Sequence, residues 1–147
     1  MKPPERDGDL VAALEVLPRA ECMNLLATAS VGRVGLLVAG RPEILPVNFA
    51  LDGETVLFRT AEGTVLDQAS LSVVAFEVDH VDDQAHSGWS VLVQGTAQFI
   101  GDAIDPTSER LRRLSLITWA PGRRQRWFKI QPDKVTGRRL RVVPDAP

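Results

Sequence analysis

Three features of the sequence predict a mainly β chain, a six-stranded antiparallel barrel with helices at its periphery. Apolar segments of strand length recur from Val31 to Val142, parted by turns rich in glycine, proline and aspartate. The pair Asp52-Gly53 between two such segments is a hairpin signal, because the tight turns that join antiparallel strands need positive φ. Helical spacing is confined to three short places, Pro18–Ala27, Val65–Ser70 and the run after Asp105-Pro106. Closely spaced strands without crossover helices remove their exposed edges by closing on themselves.

In chain order, residues 1–8 and 144–147 read as flexible tails of a single domain spanning 1–147. Asp9 is placed to cap a short turn through Leu17, and Pro18 suits the first turn of a helix carrying Cys22, Leu25 and Leu26 on one side. Val31–Val38 reads as a strand and Ala39-Gly40-Arg41-Pro42 as a turn. The hairpin strands on either side of Asp52-Gly53 follow, with Pro46 inside the first. Proline cannot donate to a ladder, so Pro46 marks a bulge or an edge. A short helix over Val65–Ser70, a strand Val73–Asp79 and a polar loop His80–Ser87 come next. Gly88–Ile100 is a long strand with Gly95 at a bulge or barrel corner. A helix with Leu111, Leu114 and Ile117 on its buried side leads through a loop, Trp119–Arg124, to a core strand Arg126–Gln131 and a last extended segment Thr136–Val142.

Composition narrows the function. With 17 basic and 19 acidic side chains the net charge is −2, which gives no bulk attraction to nucleic acid or an anionic membrane. The single Cys22 excludes an internal disulfide and a cysteine-rich zinc site. No segment approaches the ~20 uninterrupted apolar residues of a membrane helix, and MKPPERDGDL has no secretory apolar core, so a cytoplasmic protein is expected. His80 and His86 stand without any ligand spacing, so no metal is expected. Nothing resembles a nucleophile–base pair or paired carboxylates, and the catalytic residues stay unassigned.

Four stretches carry chemistry. Arg59-Thr60 with Gly63-Thr64 combines a guanidinium, two hydroxyls and a glycine beside a helix start, the parts of a phosphate clamp; the plain alternative is a strand end followed by a capped helix. In Pro46-Val47-Asn48-Phe49, Asn48 offers a donor and acceptors suited to the polar edge of a flat heterocycle, or to a neighbouring turn. In Ser87-Gly88-Trp89-Ser90-Val91 the tryptophan is either core or a stacking surface. Last, Trp119, Arg123, Arg124, Arg126 and Trp127 open a basic and aromatic run that continues to Arg141. Anion binding at a subunit interface fits it better than nucleic acid, since core-like strands run through it.

Taken in order, these stretches resemble the pyridoxamine 5′-phosphate oxidase-like proteins with the FMN-binding split β-barrel. The matching residues are Glu21-Cys22, Pro46-Val47-Asn48, Arg59-Thr60-x-x-Gly63-Thr64, Ser87-Gly88-Trp89-Ser90-Val91-x-Val93-x-Gly95, Trp127-Phe128-Lys129-Ile130-x-Pro132 and Thr136-Gly137-Arg138-Arg139, over Pro18 to Leu140. The resemblance implies an FMN-binding oxidoreductase, a homodimer with flavins between its subunits and a small-molecule substrate. A deazaflavin-dependent reductase and a non-catalytic flavin- or haem-binding protein are the alternatives. Pro46, Val47, Asn48 and Phe49 would line the ring, and Arg59, Thr60, Gly63, Thr64 and Val65 would hold the phosphate. Trp89, Ser90, Trp119 and Arg123 would approach from around the interface, from either subunit. The family often places a lysine where this chain has Val65. Its charge-assisted bond is worth roughly 1.5–3 kcal/mol, or about ten- to a hundredfold in affinity. Dimerisation is expected to cover apolar faces around Val91, Val93 and Phe99 or the Trp119 region.

Overall fold

The computed structural model describes residues 10–60, 71–100 and 126–144. Its elements are β1 (Leu10–Leu17), α1 (Arg19–Leu26), β2 (Val31–Val38), β3 (Arg41–Asp52), β4 (Thr55–Thr60), β5 (Val73–Asp82), β6 (Ser87–Phe99) and β7 (Arg126–Pro144). Every strand pairing is antiparallel. The order β1-β7-β4-β3-β2-β5-β6, with β6 also bonded to β7, makes a partly closed ring of the six strands β2–β7, as the sequence predicts, and adds β1 to its side. The length of β7 allows this. Its first residues pair with β4, its last with β1, and β6 runs along its other edge.

Alternation sets the interior. Val74, Phe76 and Val78 of β5 meet Val91, Val93 and Ala97 of β6 in one buried core. Aromatic rings fill the middle: Phe58 and Phe128 stack with centroids 5.5 Å apart, and Phe49 meets Phe76 edge-on at 4.9 Å. Helix α1 closes the ring from inside through Cys22 and Leu26, both fully buried. A Cβ at position 137 would run into the Cys22 sulfur, so only glycine lets β7 pass beneath the helix. Burial pushes the Cys22 thiol up. Arg139 ties β7 to α1 through Glu21 at 3.1 Å and to β1 through Glu15 at 3.5 Å.

Several expectations change. Residues 10–17 form a strand, not a capped turn. Leu-Val-Ala-Ala-Leu-Glu-Val-Leu is apolar at both parities, so its period is ambiguous, and pairing with residues 137–144 of β7 decides it. The two segments expected at 126–131 and 136–142 are one strand, which runs to Pro144, one residue into the expected tail. Gln94 opposes Lys134 and Gly95 opposes Pro132, so the bulge foreseen at Gly95 exists, with the extra residue Asp133 on β7. Pro132 sits inside the strand at this bulge, one of the places where a sheet tolerates proline. The hairpin turn is Gly53-Glu54, one residue beyond Asp52-Gly53; Asp52 pairs with Thr55, and only Gly53 has positive φ (58°). Ala39-Gly40 alone forms the preceding turn, both with positive φ, because Arg41 and Pro42 already belong to β3. β5 continues to Asp82, where the side chain accepts bonds from the N–H groups of Gln84 and Ala85, which shortens the expected loop. The helices foreseen near 65–70 and 105–117 and the Trp119–Arg124 loop lie outside the described residues.

Candidate functional site

Strand β3 changes partner at Asn48. From Arg41 to Asn48 it pairs with β2, and from Phe49 to Asp52 with β4. Pro46 therefore sits on an edge and not at a bulge. The Ser30 carbonyl marks the crossing: it accepts from the Phe49 N–H at 3.1 Å and from the Asn48 side-chain amide at 3.4 Å. Phe49 and Phe58 are cross-strand partners facing the core, so their neighbours Asn48 and Arg59 face outward together at the end of the β3–β4 ladder. Arg59 pairs across β4–β7 with Trp127, and its guanidinium lies 5.0 Å from the centre of the indole. Leu57, Ile100 and Trp127 form a small buried cluster of their own.

This geometry sorts the predicted residues. Pro46 is exposed and Asn48 half-buried, whereas Val47 and Phe49 put their side chains into the core and offer a ligand only their backbone. Thr60 alternates inward and is buried, on the opposite side of β4 from Arg59. Trp89 packs against the core; Ser90 faces outward between Asp79 of β5 and Arg138 of β7. Gly63, Thr64, Val65, Trp119 and Arg123 lie outside the described residues. The basic run does not make a single patch. Strand alternation turns Arg138 outward and Arg139 inward to its glutamates.

A second feature was not singled out from the sequence. The outer side of β1, β5, β6 and β7 carries an open groove of about 660 Å³ lined by Leu14, Glu77, Asp79, Ser90, Arg138 and Leu140, among others. Arg33 of β2 reaches Glu77 at 3.2 Å and Asp79 at 2.9 Å. Partial burial pushes the Glu77 carboxyl up to about 7, with Asp79 adding to the shift and Arg33 opposing it. Asp79 moves below the usual range, chiefly because Glu77 hydrogen-bonds to it. The signal in the sequence was Glu77-x-Asp79, two acids on one strand face. Their arginine is forty-four residues away from Glu77 and becomes visible only through the β2–β5 register. Among the described residues no group of three His, Cys, Asp or Glu side chains is arranged to hold a metal.

The split barrel has known counterparts. The family described as Pyridoxamine 5′-phosphate oxidase matches residues 18–139, and the chain belongs to that family. It is similar to an uncharacterised protein of Mycobacterium tuberculosis, 36% identical over 99% of this chain and 98% of that one. Among solved structures, the FAD binding protein from Mycobacterium smegmatis is 36% identical with a TM-score of 0.71, covering 86% of this chain and 97% of that one. An FAD-binding protein from Mesorhizobium loti, 22% identical, covers 88% and 98% with a TM-score of 0.70, a likeness of fold alone.

Proposed function

We propose that the protein binds a flavin nucleotide on the outer side of the β3–β4–β7 wall and serves as an FMN-dependent oxidoreductase of small molecules in the cytoplasm. The carrying observation is that Asn48 and Arg59 face outward together where β3 leaves β4. An amide suited to a ring edge and a guanidinium suited to a phosphate each stand one residue past the last β3–β4 pair, Phe49–Phe58. The 36% identical FAD binding protein supports a flavin, and FMN and FAD share the riboflavin 5′-phosphate that Arg59 would meet. Bound flavin supplies electron transfer at its own ring; the chain holds and orients it. No described helix is long and apolar enough to cross a membrane.

The test is the absorbance spectrum of the purified protein, followed by titration with FMN, FAD and riboflavin. A flavin spectrum is expected, and Arg59→Ala should weaken FMN by about ten- to a hundredfold while leaving riboflavin unchanged. A deazaflavin or haem spectrum, or equal loss of both ligands in Arg59→Ala, overturns the reading.

The reading includes a two-fold homodimer formed through the outer face of β1, β5, β6 and β7. Val16 (81% exposed), Val81 (63%), Leu14 (60%) and Leu140 (44%) leave an apolar patch on that face. Glu77, Asp79 and Arg138 stand beside it, so a patch repeated by a two-fold axis can pair its own opposite charges. Sedimentation at micromolar concentration should show a dimer, and Val16→Asp with Leu140→Asp should give a folded monomer. A monomeric parent protein overturns this.

A further inference from the structure

The indole beneath Arg59 lies outside the main core of the barrel. Its neighbour Phe128 fills the core, while Trp127 points the other way and, among the described residues, clusters with Leu57 and Ile100 apart from the core. It is 9% exposed, and the Arg59 guanidinium lies over it. The next arginine, Arg126, lies over Phe99 at 4.4 Å, on the inward side of β7. Alternation thus separates two stacked arginines at one end of the barrel and gives only Arg59 to the outer side.

We infer that Trp127 is a positioning residue for Arg59. Its ring holds the guanidinium at the outer end of β4 before a ligand arrives, and this makes the site selective for phosphorylated flavins over riboflavin. The inference rests on the flavin reading above. A long arginine side chain loses its rotamer freedom when it clamps an anion, which weakens binding. Stacking removes that freedom in advance. A planar guanidinium set in place can meet phosphate oxygens with a fork of two N–H groups. The ring touches no ligand in this account. It acts through Arg59, so its removal should change the ratio of FMN to riboflavin affinity, a ratio that simple loss of packing would leave alone.

The experiment measures FMN and riboflavin binding by flavin fluorescence, with thermal midpoints, for Trp127→Leu, Trp127→Phe, Arg59→Ala and the Trp127→Leu/Arg59→Ala double variant. Trp127→Leu is expected to weaken FMN by about three- to thirtyfold and to leave riboflavin unchanged. Trp127→Phe, which keeps a ring, should recover most of the loss. In the Arg59→Ala background Trp127→Leu should add nothing, as two residues acting in series require. Equal weakening of both ligands, or full additivity in the double variant, overturns the inference. Arg59→Lys gives a second route if Trp127→Leu does not fold. It keeps the charge and loses the planar fork, so FMN should weaken and riboflavin should not; wild-type FMN affinity in Arg59→Lys would show that charge alone matters, and the inference falls. Should Arg59→Ala itself fail to separate FMN from riboflavin, the flavin-phosphate reading fails first and takes this inference with it. If Arg59→Ala separates them and Trp127→Leu does not, only the role of Trp127 is lost.

Discussion

The two outer faces of the barrel are finished differently. On the β4–β7 side, Leu57, Ile100 and Trp127 point away from the interior and are nevertheless 0%, 3% and 9% exposed. On the β1–β5–β6–β7 side, Leu14, Val16, Val81 and Leu140 also point outward and keep between 44% and 81% of their surface. Outward direction in a barrel is therefore no guide to solvation. The first face buries these three apolar side chains beside Arg59. The second remains open, and its apolar side chains are arranged around charges of both signs.

The comparison breaks most sharply on stability. Leu57→Ala should cost about 2–5 kcal/mol, the range for emptying a closed apolar site. Leu14→Ala should change the stability of the isolated chain by less than about 0.5 kcal/mol. Urea unfolding at several protein concentrations separates the two. Any effect of Leu14→Ala should grow with concentration, because it acts on association. Similar, concentration-independent costs at both positions would mean that the faces do not differ.

A smaller effect is expected where β1 joins the open face. Arg139 meets Glu15 of β1 and Glu21 of α1, and Arg141 meets Glu15 at 3.1 Å. Arg139→Met should keep the barrel and loosen its added strand, so amide exchange should quicken in residues 10–17 and hold steady in β5 and β6. Uniform quickening would place Arg139 in the barrel's global stability instead.

How far these faces could be read from the sequence follows from what each depends on. Ring strands with one apolar parity, such as Val73–Asp79, were legible because alternation is local. β1 was not, since only its partner fixes its conformation. Pro132 hid the continuity of β7, because a bulge needs a residue count on two strands that are far apart in sequence. Val91 and Val93 were expected to leave an exposed face, yet both are fully buried, and the open surface comes from the opposite parity and from β1. Within the candidate site, the types of residue were readable at Asn48 and Arg59. The sides they face were not, because Val47, Phe49 and Thr60 are set inward by register alone. The Arg33–Glu77–Asp79 group was invisible for the same reason.

That group gives the finest test of the open face. Glu77, ordinarily near 4.5, is pushed up to about 7, while Arg33 and Asp79 are the charged groups in contact with it. The folded chain therefore keeps a proton that the unfolded chain releases as pH rises above about 4.5. Native protein binds more protons than unfolded protein across this window, so stability falls as pH climbs from about 4.5 towards about 7. Asp79 runs the other way: its lowered value makes a contribution that is lost on acidification. Glu77→Gln keeps the shape and a hydrogen-bond donor towards Asp79 but cannot ionise. It should match the parent protein near pH 4 and become the more stable of the two above pH 7, as thermal midpoints across pH 4–8 would show. A second copy covering the groove would desolvate the carboxyl further, so the difference above pH 7 should widen with protein concentration. Parallel midpoints throughout the range would mean that Glu77 titrates as a solvated carboxylate. A difference that appears above pH 7 but does not change with protein concentration would keep the shifted carboxyl and remove this face from the dimer contact.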